Sequence, residues 1–123
     1  MNDLEDYVID VEETTKNNNY YRWVFQTSKE MQYVFMSIPP GEEIGKETHQ
    51  KTTQFIRIEE GSGLAVIDGK HFDLEPNSSV FIPSGVEHNI INDGDIPLKL
   101  YTLYAPPNHK IGTLQRNKPA EDD

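Results

Sequence analysis

The chain contains no cysteine among its 123 residues, and this absence removes several kinds of chemistry at once. Disulfide bonds, thiolate metal sites and a cysteine nucleophile are all excluded. Any metal must therefore be held by histidine, glutamate, aspartate, glutamine or backbone oxygen.

Basic residues are also scarce. The 11 lysines and arginines stand against 21 aspartates and glutamates, which gives a net charge of −10. Nucleic acids and anionic membranes recruit clustered lysine and arginine, so we expect neither as a partner. No apolar run is long enough to span a membrane, and the N-terminus has acids where a signal peptide needs bases. We therefore expect a cytoplasmic, or at least intracellular, protein.

Helical patterns are almost absent between Gln32 and Pro107. Short runs rich in valine, isoleucine, phenylalanine, tyrosine and leucine each end in glycine, proline, asparagine or aspartate there. Such runs are typical of strands joined by turns. Residues 67–70 read IDGK, and Asp-Gly favours the positive φ angles of a tight hairpin turn. The pattern predicts an all-β sandwich or barrel.

The length of the chain suits one domain, which composition divides into three parts. Residues 1–19 form an acidic N-terminal segment, residues 20–107 the β-barrel, and residues 108–123 a C-terminal tail. We expect both acidic ends to be solvated tails and the C-terminal one to be irregular. For residues 1–19, the sequence does not decide between a short strand and a helical turn.

A candidate metal site lies in the stretch GKETHQKTTQF, residues 45–55. Glu47 and His49 are two residues apart, so in a strand their side chains point the same way. Gln54 heads the next strand, and a hairpin-like return would bring it beside the first pair. His88 follows a tight Pro-Ser-Gly turn. Two imidazoles and a carboxylate suit first-row divalent metals, and an amide oxygen can fill a fourth position.

Spacing alone leaves this site undecided. His49 and His88 fit equally well as structural residues that bond the backbone at a barrel mouth. Glu47 fits either a ligand or a general base, and Gln54 fits either a ligand or a core amide that orients a water.

The sequence assigns no functional role to the other candidate residues. We expect His71, next to the hairpin turn, to be exposed, and His109 to be an ordinary tail residue, although the tail could fold back over a barrel mouth. Alternation along a strand does not say which face looks inward. Six large residues therefore fit either a pocket or an interface: Tyr33, Phe35, Met36, Phe81, Tyr101 and Tyr104.

Two motifs in register resemble those of the cupin superfamily. The usual first motif has a glycine, a His-x-His pair, a glutamate and a closing glycine, and the second has a glycine, Pro-x-Gly, a histidine and an asparagine. The first is matched here by Gly41, Glu47-Thr48-His49, Gln54 and Gly61. The second is matched by Asn77, Pro83-Ser84-Gly85, His88 and Asn92. Asparagine tolerates positive φ, so Asn77 is a mild departure.

The resemblance implies a single cupin double-stranded β-helix, which is a jelly-roll-like antiparallel β-barrel. It also implies one divalent transition metal held by Glu47, His49, Gln54 and His88, with nickel, zinc, iron, manganese and cobalt all suitable. Glu47 replaces the usual first histidine and Gln54 the usual glutamate, so the formal charge of the set is kept. A homodimer is expected as well, because outward apolar residues such as Phe55 need cover.

Three functions are compatible with the sequence. The first is a small metalloenzyme of isomerase or dioxygenase type that acts on a small sugar-like or carbonyl substrate. The second is a non-catalytic module that binds a small ligand, and the third is a structural protein with a relic site. No cluster of lysine and arginine suggests a phosphate clamp, which counts against sugar-phosphate and nucleotide-sugar substrates.

Overall fold

A computed structural model describes residues 4–120, so the outermost residues of both acidic ends lie outside the described part. A 3₁₀-helix at Leu4–Tyr7 and the α-helix α1 (Val11–Asn17) precede the strands. The strands are β1 (Arg22–Thr27), β2 (Gln32–Ile38), β3 (Thr53–Glu60), β4 (Gly63–Ile67), β5 (Lys70–Leu74), β6 (Ser79–Ile82), β7 (His88–Ile91), β8 (Leu98–Ala105) and β9 (Leu114–Gln115).

Two antiparallel sheets enclose the core. The larger sheet has the order β6-β3-β8-β2-β1-β9, and the smaller has the order β5-β4-β7. One cluster of buried side chains joins them, with Ile56 and Leu100 from the larger sheet and Ala65 and Ile90 from the smaller. The prediction of an all-β, jelly-roll-like antiparallel barrel with little helix is confirmed.

The inner face of the larger sheet carries a buried row that crosses five of its strands. Val24, Val34, Thr102, Ile56 and Val80 are successive register partners across five strands, and each is buried. Burying one large aliphatic side chain contributes about 1.5–3 kcal/mol. This row therefore anchors the barrel wall that carries the candidate site at one end.

The outer face of the same sheet is aromatic. Rings contact one another at centroid distances of 5.1–5.9 Å from Trp23 through Phe25, Phe35 and Tyr33 to Tyr101. Desolvation by burial raises the pKa of Tyr33 to about 12. Of the six large residues that the sequence left undecided, Met36 and Tyr104 belong to the core, and the other four lie on this outer face or its edge.

Two positive-φ turns have the residues that the sequence indicates. Asp68 and Gly69 have φ of 50° and 81°, and they join β4 to β5 in the predicted Asp-Gly hairpin. Asn77 has φ of 76° at the position where the second motif usually has glycine. Its Oδ1 accepts a hydrogen bond from Arg57 at 2.8 Å, which ties this turn to β3.

The N-terminal segment is more than a solvated tail, because α1 packs against β3 and β8. Asp10 caps the helix by accepting a hydrogen bond from the backbone N–H of Glu13, and Thr15 is fully buried. The Nζ of Lys99 donates to the carbonyl of Lys16 at 2.8 Å. The helix therefore closes the sheet surface beside β8.

The C-terminal tail is also partly ordered in regular structure. Leu114 and Gln115 form β9, which pairs with Trp23 and Arg22 of β1. The guanidinium of Arg22 donates to the side-chain oxygen of Gln115 at 2.8 Å. The expectation of an irregular tail is wrong for these two residues, since an unpaired edge of β1 accepts them as a short extra strand.

Two glycines with similar positive φ angles, Gly61 and Gly69, differ in how closely other backbone atoms approach them. Gly61 and Gly69 have φ of 87° and 81°, but a Cβ on Gly61 would lie 2.6 Å from the carbonyl oxygen of Pro97, whereas a Cβ on Gly69 meets nothing within 4 Å. We expect Gly69→Ala to cost about 1–2 kcal/mol from backbone conformation alone. Gly61→Ala should cost about 1–3 kcal/mol more, because backbone must move. Urea unfolding of both variants measures the difference, and equal losses would contradict it.

Candidate metal centre

The candidate centre is built on a pair of reciprocal backbone hydrogen bonds between Glu47 and His88. The N–H of Glu47 donates to the carbonyl of His88 at 2.8 Å, and the N–H of His88 donates back at 2.9 Å. The segment around Glu47 thus adds a bridge to β7 of the smaller sheet. Directly opposed residues of an antiparallel pair project their side chains to the same face. The carboxylate and the imidazole therefore enter the barrel together.

His49 completes a cluster of three donors. Its carbonyl accepts a hydrogen bond from the N–H of Gly85 at 2.8 Å, which holds it beside the turn before β7. Its Nε2 lies 3.5 Å from Oε1 of Glu47, and Nε2 of His88 lies 3.9 Å from the same oxygen. One ligand atom from each of the three residues lies within 4.8 Å of those of the other two.

Gln54 comes from the larger sheet and not from a hairpin-like return. It lies on β3, opposite Tyr104 of β8, and its side chain is buried on the inner face. Its Nε2 donates to Oγ1 of Thr102 at 3.0 Å, which orients the amide. The expected hairpin does not form because the chain at Glu47 pairs with β7 instead, so Gln54 is contributed from the other wall of the barrel.

Three buried atoms in this region lack a hydrogen-bond partner within the described part of the chain: Nε2 of His49, Nε2 of His88 and Oε1 of Gln54. Leaving a buried polar atom unsatisfied costs about 1–3 kcal/mol. Such costs concentrated at one place point to a group that the protein chain itself does not supply.

The protonation state of His88 suits a ligand. Its Nδ1 lies 2.9 Å from the carbonyl of Val86, so Nδ1 carries the proton and donates, which leaves the lone pair on Nε2. Burial lowers the pKa of His88 and outweighs the Val86 carbonyl, which raises it. The neighbouring His49 lowers this pKa further, and Glu47 opposes the change. The neutral imidazole is therefore favoured.

The donors fit a first-row divalent metal. Two imidazole nitrogens, one carboxylate oxygen and one amide oxygen are the ligand types that such ions accept. The lone pairs of the imidazoles and of the amide have no competing donor among the described residues. The structure therefore brings Glu47, His49 and His88 together and leaves the buried amide oxygen of Gln54 available on the inner face.

Sequence reasoning gave Tyr104 no definite place and His109 no role, yet both rings belong to this region. The rings of Tyr104 and His49 meet edge to face at 5.8 Å, and those of Tyr104 and His109 at 5.1 Å. The available signal was the alternation of β8, which puts Tyr104 on the same face as Thr102. No local pattern places His109, because the fold of the tail decides its position.

The remaining candidates lie away from the donors. His71 is exposed on β5, as expected. Arg57 lies on the face of β3 opposite to Gln54 and bonds Asn77. Asn92 is fully buried just after β7, and its amide donates to the carbonyls of Ile38 and Ile96, so its role is to fix a turn.

An open cleft of about 810 Å³ lies elsewhere, between α1 and the β1 and β9 edge of the larger sheet. Its lining includes Asn17, Tyr20, Trp23 and Leu114, and none of the predicted ligands. Two of its polar side chains, Asp10 and Asn18, serve the helix cap and the following turn, and Oδ1 of Asn19 accepts from Lys99. The chemistry therefore concentrates at the donor cluster.

Fold and site together define an antiparallel β-barrel with a Glu-His-His group that could hold a metal ion. Residues 34–104 match the cupin domain family, and the chain belongs to that family. The chain is 42% identical over 119 residues to the uncharacterized protein YrkC of Bacillus subtilis, covering 91% of this chain but only 63% of YrkC. It is also 42% identical over 118 residues to the uncharacterized protein L612 of Acanthamoeba polyphaga mimivirus, covering 92% of this chain and 73% of that protein.

Solved structures have the same fold. The structure of BH2720 from Bacillus halodurans matches with a TM-score of 0.88 and 38% identity, over 89% of this chain and 88% of that one. A predicted oxalate decarboxylase from Thermotoga maritima matches with a TM-score of 0.61 and 25% identity, over 64% of this chain and 69% of that one. A cupin sugar phosphate isomerase from Silicibacter pomeroyi, at 18% identity and a TM-score of 0.59 over 63% and 52% of the chains, shares the fold.

Within residues 4–120, the helices are too short and too polar to cross a lipid bilayer.

The lowered pKa of His88 makes the unfolding free energy of the metal-free protein depend on pH. Since the folded state lowers this pKa, the unfolded chain binds a proton first as pH falls below the ordinary histidine value of about 6.5. The stabilisation is present above that value and is lost as pH falls through the lowered folded pKa. With a chelator present, we expect the unfolding free energy to drop less between about pH 7.5 and about pH 5 in His88→Gln than in the wild type.

The exposed His71 supplies the matched control for this measurement. His71→Gln should keep the full pH dependence of the wild type in urea unfolding. If His88→Gln and the wild type lose the same free energy over this range, His88 does not contribute.

Proposed function

We propose that the protein binds one divalent transition metal through Nε2 of His49, Nε2 of His88, a carboxylate oxygen of Glu47 and Oε1 of Gln54. Two observations carry this proposal. Three buried lone-pair atoms lack partners in the described residues, and ligand atoms of the two histidines and of Glu47 lie within 4.8 Å of one another. A metal bound by all four residues would satisfy these atoms at once. Nickel, zinc, iron, manganese and cobalt each suit the donor types.

The proposed function is that of a small metalloenzyme on a small sugar-like or carbonyl substrate, of isomerase or dioxygenase type. When bound, the metal supplies Lewis-acid polarisation of an oxygen donor, or a site for dioxygen. The chain contributes an interior that excludes water around the donors, since His49 and Glu47 have side-chain exposures of only 11% and 17%. Among the described residues, no ion pair or hydrogen bond joins a lysine or arginine side chain to the donor cluster. A phosphate group would therefore find no basic side chain there to bind it.

The function is tested in two steps. Elemental analysis of untagged protein gives the metal and its stoichiometry. The loaded protein is then incubated with aldoses, ketoses and dicarbonyl compounds, with and without oxygen, and products are followed by mass spectrometry and NMR. Turnover that a chelator abolishes supports the enzyme. Ligand-induced changes in the metal spectrum without turnover would favour a non-catalytic binding module, and no metal uptake would overturn the proposal.

Glu47 offers the sharpest test of the ligand set. Glu47→Gln removes the carboxylate and nearly keeps its shape. Changes even to groups around a metal's ligands cost about 10–100-fold in affinity, so loss of a charged ligand should cost at least that much. The measurement is a metal titration of the wild type and of Glu47→Gln, with His49→Ala as the control for ligand loss. Unchanged affinity in Glu47→Gln beside a collapse in His49→Ala would assign Glu47 to a general base.

We also propose that the protein is a homodimer formed through the aromatic outer face of the larger sheet. This face extends from Trp23 to Phe55 and to its register partner Phe81, whose side chain is 68% exposed. Large exposed apolar patches usually mark interfaces, and an identical face on a second copy matches its chemistry. A cytoplasmic location, and the lack of nucleic-acid and membrane partners, stay predictions from charge and sequence.

The assembly is tested by sedimentation at micromolar concentration. We expect a species of twice the chain mass of 14.1 kDa, and we expect Phe81→Asp to shift it toward the monomer. Ile96→Asp is the control, because Ile96 is also exposed but lies in the loop between β7 and β8. A wild type that sediments only as a monomer contradicts the proposal.

A further inference from the structure

Tyr104 forms part of the wall around the donor cluster, since its ring centroid lies 5.8 Å from that of His49. It is 2% exposed, belongs to the barrel core, and is the register partner of Gln54 in the pairing of β3 and β8. Its ring meets that of His49 edge to face. Tyr104 is therefore in contact with one donor and beside a second, and its hydroxyl is the polar end of an otherwise apolar ring.

His109 reaches this wall from the tail. Its Nε2 lies 3.3 Å from the hydroxyl of Tyr104, and its half-buried ring packs against the tyrosine ring. The tautomer of His109 sets the direction of this bond, and Nδ2 of Asn108 lies 3.5 Å from the same Nε2. In the tautomer with the proton on Nε2, the imidazole donates to the phenol oxygen and the phenol O–H can donate onward, since a hydroxyl both accepts and donates. His109 and Tyr104 thus form a hydrogen-bonded pair between the tail and the ring that contacts His49.

The turn that carries His109 is held by a buried side chain. Gln32 is fully buried, and its Oε1 accepts from the backbone N–H groups of Asn108 and His109 at 3.1 and 2.8 Å. Its Nε2 donates to the carbonyl of His109 at 2.8 Å. Thr52 adds a hydrogen bond from its hydroxyl to the carbonyl of Pro106 at 3.2 Å. A buried amide that bonds both sides of one residue fixes the place of that residue.

We propose that the Tyr104 hydroxyl donates a hydrogen bond to a small anionic or carbonyl-oxygen ligand bound beside the metal, and that His109, with its proton on Nε2, is the positioning residue that orients this hydroxyl. The inference rests on the proposed metal site and adds the group that recognises the ligand. The pair carries no fixed positive charge, so it selects a carbonyl oxygen or a monoanion rather than a phosphate.

The experiment uses the full chain loaded with Co²⁺ and titrated with azide, a monodentate anion, followed by visible absorption. Tyr104→Phe should weaken azide binding by about 10-fold to 150-fold, the range of one hydrogen bond to a charged group, and His109→Leu should weaken it as well. His109→Gln should restore most of the affinity, because the amide N–H of glutamine can donate where Nε2 does. Tyr7→Phe and His71→Gln are the matched controls, since both residues are exposed.

Each outcome has one meaning. If the wild type takes up no Co²⁺, the proposed metal site fails, and this inference fails with it. If the variants take up Co²⁺ and bind azide as the wild type does, only the role of the pair is overturned. Loss of Co²⁺ uptake in Tyr104→Phe would make Tyr104 a support for His49 and would also overturn it. Failure of His109→Gln to recover beyond His109→Leu would remove the positioning role of His109.

Discussion

The reciprocal backbone hydrogen bonds between Glu47 and His88 are the interaction on which the candidate centre depends. They attach an irregular segment to β7 and put a carboxylate and an imidazole on one face of the smaller sheet. His49 then follows within reach, and its own carbonyl is tied to Gly85. Without this bridge, the three donor atoms would belong to a loop and would not converge inside the barrel.

The way the two sheets face each other explains why the site is both buried and polar. The larger sheet supplies the register pair Gln54 and Tyr104 and, beside it, Thr102, all buried on its inner face. His88 of the smaller sheet and the segment bridged to it supply the other donors. Alternation separates these residues from Phe55 and Tyr101, which lie on the outer face of the same strands. One pair of strands therefore carries the proposed ligand site on one side and the proposed dimer face on the other, so substitutions can address them separately.

The tail adds a third contribution to the centre. Gln32 belongs to β2, far from the donors in sequence, yet its amide fixes the turn that brings His109 to Tyr104. β9 continues this path by pairing with β1. Such contacts make the C-terminal segment part of the barrel wall, and they extend the hydrogen-bonded groups around the site beyond the two family motifs.

By itself, the sequence determined the strands β1 to β8, the Asp-Gly hairpin at Asp68, the positive-φ turn at Asn77 and the residue types of the candidate donor set. These follow from local rules: period-two alternation, turn chemistry and the lone pairs of particular side chains. Only the tertiary structure decided that Gln54 comes from the sheet that faces His88, that α1 packs on β8, and that His109 lies against Tyr104. Each of these depends on contacts between residues distant in sequence, such as Gln32 with His109, whose geometry no local pattern encodes.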